Sequence, residues 1–76
     1  MNKIRRKQIE EVIARLEELT ADIEALQEEE QDYYDNMPES FRDGEKGEKA
    51  QEAIDAFDEA LSSIEDVISS LETASV

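Results

Sequence analysis

The sequence predicts an all-α fold: an antiparallel helical hairpin that pairs with a second copy into a four-helix bundle. Three observations carry this expectation. Two long segments have apolar residues stepping by three and four. The only proline and both glycines lie between them. The two apolar stripes align layer by layer when the chain is folded back at that point. Together they describe a single helical-hairpin domain over residues 1–76, with a helix over 3–35, a loop over 36–45 and a helix over 46–73.

The first stripe runs Ile9, Val12, Leu16, Leu19, Ile23, Leu26, Glu30 and Tyr33. With Ile9, Leu16, Ile23 and Glu30 as heptad a, the residues Val12, Leu19, Leu26 and Tyr33 occupy d. A 3–4 spacing held for more than three heptads is the signature of a helix with one apolar seam. Ile13 and Tyr34 widen the seam at e. The remaining positions are mostly Glu, Arg, Gln and Ala, which favour helix, and Asn2 is placed to cap the start.

The intervening segment is Asn36-Met37-Pro38-Glu39-Ser40-Phe41-Arg42-Asp43-Gly44-Glu45-Lys46-Gly47. Pro38 disfavours helical backbone at Met37, so the first helix stops near Asn36. Pro38 is also suited to the first position of a short helical turn, and Asp43-Gly44 is a turn signal. The second stripe then runs Ala50, Ile54, Phe57, Leu61, Ile64, Ile68 and Leu71, with Ile54, Leu61 and Ile68 at a. Ala53, Ala60, Val67 and Ala74 fill g.

Folding about residue 42 opposes a to a, with residue numbers adding to 84: Leu16 meets Ile68 and Ile23 meets Leu61. The d residues oppose each other at 83: Leu19 meets Ile64, Leu26 meets Phe57 and Tyr33 meets Ala50. Lys3, Arg5, Arg6 and Lys7 are then expected beside Glu72. Each stripe covers about three heptad positions in seven, which is the width of a bundle face rather than of a two-helix zipper. A homodimer would cover it, with Leu16, Leu19, Ile23, Leu26, Phe57, Leu61, Ile64 and Ile68 in the seam.

Composition narrows function by exclusion. The 76 residues hold 22 acids, 8 bases, no Cys and no His, for a formal net charge of −14. Without Cys there is no disulfide framework or thiolate site, and without His the commonest general base is missing. No apolar run reaches the ~18 residues of a membrane span, and the basic start lacks the apolar region of a signal peptide. A cytoplasmic protein that does not engage membrane is expected. Five of the eight bases lie within the first fifteen residues. Everything after Arg15 is strongly acidic and repels nucleic acid, so the short basic patch Lys3–Lys7 is not expected to bind it directly.

Several constellations invite chemistry. Glu28, Glu29, Asp32, Glu52 and Asp55 resemble the EExxE…ExxD magnesium ligands of MazG-like nucleotide pyrophosphohydrolases. Here they occupy f, g, c, f and b, pointing away from the seam, whereas metal ligands in such a bundle must point inward. Neither cofactor nor catalytic activity is expected. Glu30 is the one acid on the seam; it reads as a helix-end residue reaching solvent or a polar register device, or else as one edge of a small polar site with Arg42, Lys46 and Lys49. Tyr33, Tyr34, Phe41, Arg42 and Lys46, with Lys49, gather near the loop and form the only place an anion or nucleotide would be welcomed; Met37 and Phe41 are expected to cover that end. The acidic rows are the broader feature. Glu10, Glu17 and Glu24 share b, and Glu52, Glu59 and Asp66 share f. Asp55 stands beside them at b, and Asp58, Glu65 and Glu72 lie at e. Residues seven apart lie about 10.5 Å apart along a helix, so such rows are either an ordinary solvated helix face or an imitation of a phosphate backbone toward a basic protein surface.

The stretch Tyr33–Ala60, YYDNMPESFRDGEKGEKAQEAIDAFDEA, resembles a segment of small uncharacterised helical proteins encoded by bacteriophages and prophages. NMPES and the GEKGEKAQEAI junction carry the resemblance, which spans somewhat over a third of the chain. It implies a phage context, hence the host cytoplasm, and brings no catalytic residues. The resulting expectation is an acidic, non-enzymatic inhibitor or adaptor of a host defence or nucleic-acid-handling protein. The alternative is an oligomer that sequesters a small anion at its loop end.

Overall fold

The computed structural model describes residues 1–76. Three helices follow in order: α1 over Lys3–Asp35, α2 over Glu39–Arg42 and α3 over Glu45–Ala74. α1 and α3 lie side by side as an antiparallel hairpin, and α2 is a single turn in the connection that packs against α3. The molecule measures 59 × 15 × 11 Å. Its radius of gyration of 17.4 Å compares with about 11 Å for a globular chain of this length. No helix is long and apolar enough to cross a membrane.

Each helix end has a local cause. Asn2 Oδ1 accepts from the Arg5 amide at 2.8 Å, satisfying one of the free amides that open α1. At the other end Asn36 turns back, its amide donating to Asp32 O and its side-chain Nδ2 to the same oxygen at 2.8 Å. Pro38 sits just ahead of α2 at the capping position, not inside it, with φ −57° and ψ 146°. Its carbonyl accepts from Phe41 and Arg42. Gly44 caps α3 in extended geometry without a side-chain bond.

The corner depends on Gly47. It is buried in the first turn of α3. A Cβ built there would fall 1.9 Å from Arg42 O and 2.5 Å from Arg42 C. Only a residue without a side chain lets the end of α2 lie directly on α3. Met37, just ahead of Pro38 and α2, is 7% exposed. With Ala50 and Ile54 it makes up the buried apolar core, and no side chain in the molecule is fully enclosed.

The seam differs in one respect from the heptad expectation. On α3 the residues turned inward follow a and d: Ile54, Phe57, Leu61, Ile64, Ile68 and Leu71. On α1 the half-buried residues mainly follow a and e: Ile9, Ile13, Leu16, Thr20, Ile23, Gln27 and Tyr34. Of the d residues only Val12 is half-buried. Leu19, Leu26 and Tyr33 turn outward and are 50%, 50% and 53% exposed. A straight helix drifts by about 20° per heptad against a seven-residue repeat. With one neighbour instead of three, nothing holds d inward once a and e face α3. Register nevertheless keeps to the expected layers, since Gln27 Nε2 bonds Ile54 O at 3.1 Å, and Leu26 and Phe57 border one cleft. The expected contacts between the basic start and Glu72 do not form ion pairs. The single ion pair is the exposed Lys49–Glu45 at 3.4 Å, because long exposed side chains gain little from being held together.

Two glycine substitutions separate the corner from the cap. Gly47→Ala should cost about 1–3 kcal/mol, since backbone atoms and not a flexible side chain must move, and should lower the thermal midpoint. Gly44→Ser should leave the midpoint unchanged or slightly higher, because a Cβ there meets nothing nearer than 3.5 Å and Ser caps slightly better than Gly. An unchanged midpoint for Gly47→Ala would place Arg42 elsewhere.

Candidate functional site

Because α1 meets α3 along its a/e edge, the two sides of the hairpin are chemically unlike. On one side α1 presents its b row and α3 its e row. Glu17 and Glu24 from α1 and Glu65 from α3 border an open groove with Thr20, Leu61 and Ile68. The groove continues toward the loop between Glu24, Gln27, Glu28 and Gln31 on one helix and Ile54 and Asp58 on the other. Its carboxylates are exposed, and none takes part in an ion pair. The result is an apolar floor between two acidic edges.

Gln27 is the only side chain that hydrogen-bonds from one long helix to the other. Its Nε2 donates to Ile54 O at 3.1 Å and to Asp58 Oδ1 at 2.6 Å. It therefore fixes Asp58 on the groove edge as well as tying the helices. Asp58 and Glu65 are the residues that the separate heptad rows leave unconnected to Glu17 and Glu24. The antiparallel register is the signal that joins them, since Glu17 opposes Glu65 and Glu24 opposes Asp58 at residue numbers adding to 82.

The other acidic candidates are distributed elsewhere. Glu10 borders a shallow hollow at the open end with Lys3, Ile4, Arg6 and Lys7. Glu52, Asp55, Glu59 and Asp66 are exposed on the side of α3 turned away from the seam, and Asp55 Oδ1 accepts from Gln51 Nε2 at 3.0 Å. The structure thus splits the acidic residues into a groove and a separate outer row.

At the loop end Tyr33, Phe41 and Lys46 border a hollow with Asn36, Met37 and Pro38. Tyr34 is half-buried in the seam instead. The cations there are already engaged. Lys46 Nζ lies 5.0 Å from the centre of the Phe41 ring, Arg42 Nη2 donates to Met37 O at 3.3 Å, and Lys49 pairs with Glu45. Met37 closes this end, while Phe41 stays 49% exposed. Glu30 is half-buried beside Leu26, Glu29, Ala53 and Phe57.

The five acids with a pyrophosphohydrolase-like spacing are not gathered. Glu28 borders the acidic groove, whereas Glu29 borders the cleft on the opposite side of the hairpin. No group of three or more acidic residues has the arrangement to hold a metal ion. Comparison with known protein families, with curated proteins and with solved structures finds no match.

The bridging role of Gln27 can be measured. Gln27→Ala and Asp58→Ala, singly and together, should show a coupling of about 0.5–1 kcal/mol in a double-mutant cycle read by denaturant unfolding. Strict additivity would mean that the bond is not formed in solution.

Proposed function

We propose that this chain is a non-enzymatic acidic binding protein. It assembles as a dimeric four-helix bundle and acts as a phage-type inhibitor or adaptor on a basic surface of a host protein. The observation that carries the reading is the groove edged by Glu17, Glu24, Asp58 and Glu65. Within each edge the carboxylates are seven residues apart, about 10.5 Å along the helix. Two such lines of negative charge flanking a groove offer a nucleic-acid-binding protein what a pair of phosphate strands would offer. The outer row Glu52, Glu59 and Asp66 adds to the attractive field without sharing the groove. The resemblance of Tyr33–Ala60 to phage-encoded proteins supplies the context, the cytoplasm of an infected cell. A net charge of −14 sets the direction: a basic protein partner, and no direct contact with nucleic acid or anionic membrane.

Tagged protein should capture its partner from host lysate in low salt and release it as salt screens the charges. DNA or RNA should compete. Single charge reversals should change capture only slightly, because an exposed pair contributes about 0.2–1 kcal/mol. Reversing Glu17, Glu24 and Glu65 together to Lys should abolish capture with helicity retained, and reversing Glu52, Glu59 and Asp66 should weaken it less. If Phe41→Ala abolishes capture while the groove reversal leaves it intact, the working surface is the loop end.

A further inference from the structure

We infer that the side of the hairpin opposite the acidic groove is where a second copy of this chain docks, and that docking leaves two acidic grooves facing opposite ways. The inference rests on the dimeric reading above and assigns the face that makes the dimer.

The first argument is chemical. The α1 residues left out of the seam, Leu19, Leu26 and Tyr33, form a row of large apolar side chains, each about half exposed. On α3 the neighbouring sector consists of Ala53, Ala56, Ala60, Ser63, Val67 and Ser70. It carries no charge, whereas the acids of α3 lie at b, e and f. Val67 there is 46% exposed, and Leu26 already borders a cleft with Ala53 and Phe57, edged by Glu29 and Glu30 of α1. Large side chains on one helix beside small ones on the other suit knobs and holes between copies.

The second argument is charge. A two-fold contact sets a surface against itself, so the surface must be self-complementary. The groove side would bring Glu17, Glu24 and Glu65 against their own copies. For a chain of net charge −14, the charge-free sector of α3, rather than the α1 edge that carries Glu29 and Glu30, is where close self-contact avoids like-charge repulsion.

The third argument is area. The chain exposes 5823 Å², whereas a folded monomer of this mass exposes about 4,700 Å². That excess of about 1,100 Å² is spread over an elongated molecule, one side of which, 59 × 15 Å, is of the size of the ~800 Å² per partner that a stable interface takes.

The test is mass by light scattering at micromolar concentration. Wild type should have twice the chain mass. Val67→Lys and Ala56→Lys, both exposed on the proposed face, should shift the mass to one chain, whereas Glu24→Lys with Glu65→Lys should remain dimeric. Labelling gives a second readout in case the lysine variants lose helicity. In a chain with no other cysteine, Ala56→Cys should become several-fold slower to react with a maleimide as protein concentration rises through the dimer range. Glu24→Cys should not. A folded wild-type monomer would overturn both the dimeric reading and this face. A dimer that survives both lysine variants or dissociates on the Glu24/Glu65 reversal would overturn the face alone. So would protection of the thiol in Glu24→Cys with none in Ala56→Cys.

Discussion

The contact on which the arrangement depends is the backbone of Arg42 lying against Gly47. Because residue 47 has no Cβ, α2 closes onto the first turn of α3; Met37, Ala50 and Ile54 are the buried apolar residues. That corner brings α3 back along α1. Once α3 presents a and d while α1 presents a and e, the row Leu19, Leu26 and Tyr33 must turn outward. The b row of α1 must likewise come level with the e row of α3. The apolar face and the acidic groove are therefore two consequences of one azimuth.

The energetics follow from the same geometry. A two-helix hairpin has one seam, and most of its apolar residues are only half removed from water. Burial is worth roughly 25 cal/mol per Å² of apolar surface, so an open seam leaves a large part of that stabilisation unused. Charge works against it: 22 acids against 8 bases repel along the whole length, and a single exposed ion pair offsets almost none of it. A hairpin of this kind gains from a second copy on its apolar side and from positive charge on its acidic side. Those are the two associations assigned to it.

Much of this was legible in the sequence, for identifiable reasons. The 3–4 spacing from Ile9 to Tyr33 and from Ala50 to Leu71 marks helices because no other element has that period. Pro38 and the paired glycines mark where the chain must turn, and matching the stripes gives a register that the Gln27–Ile54 bond obeys. The azimuth of α1 was not legible. Heptad letters placed Leu19, Leu26 and Tyr33 in the seam, but a seven-residue repeat does not say whether a helix with a single neighbour will turn its d or its e row inward. Thr20, Gln27 and Tyr34 took that place. The groove was hidden for the same reason, since Glu17 and Glu65 become neighbours only after the azimuth is fixed. Nor does periodicity show that Gly47 is a contact point as well as a helix-weakening residue; that needs the path of Arg42.

The central claim is that the hairpin has one self-associating side and one acidic side. An isotope-filtered NOE spectrum of mixed labelled and unlabelled protein tests it most directly, because only contacts between copies give signal. The account predicts intermolecular cross-peaks from the methyls of Leu19, Leu26, Ala56, Ala60 and Val67. Cross-peaks confined to Thr20, Leu61 and Ile68 would put the second copy in the acidic groove and contradict it.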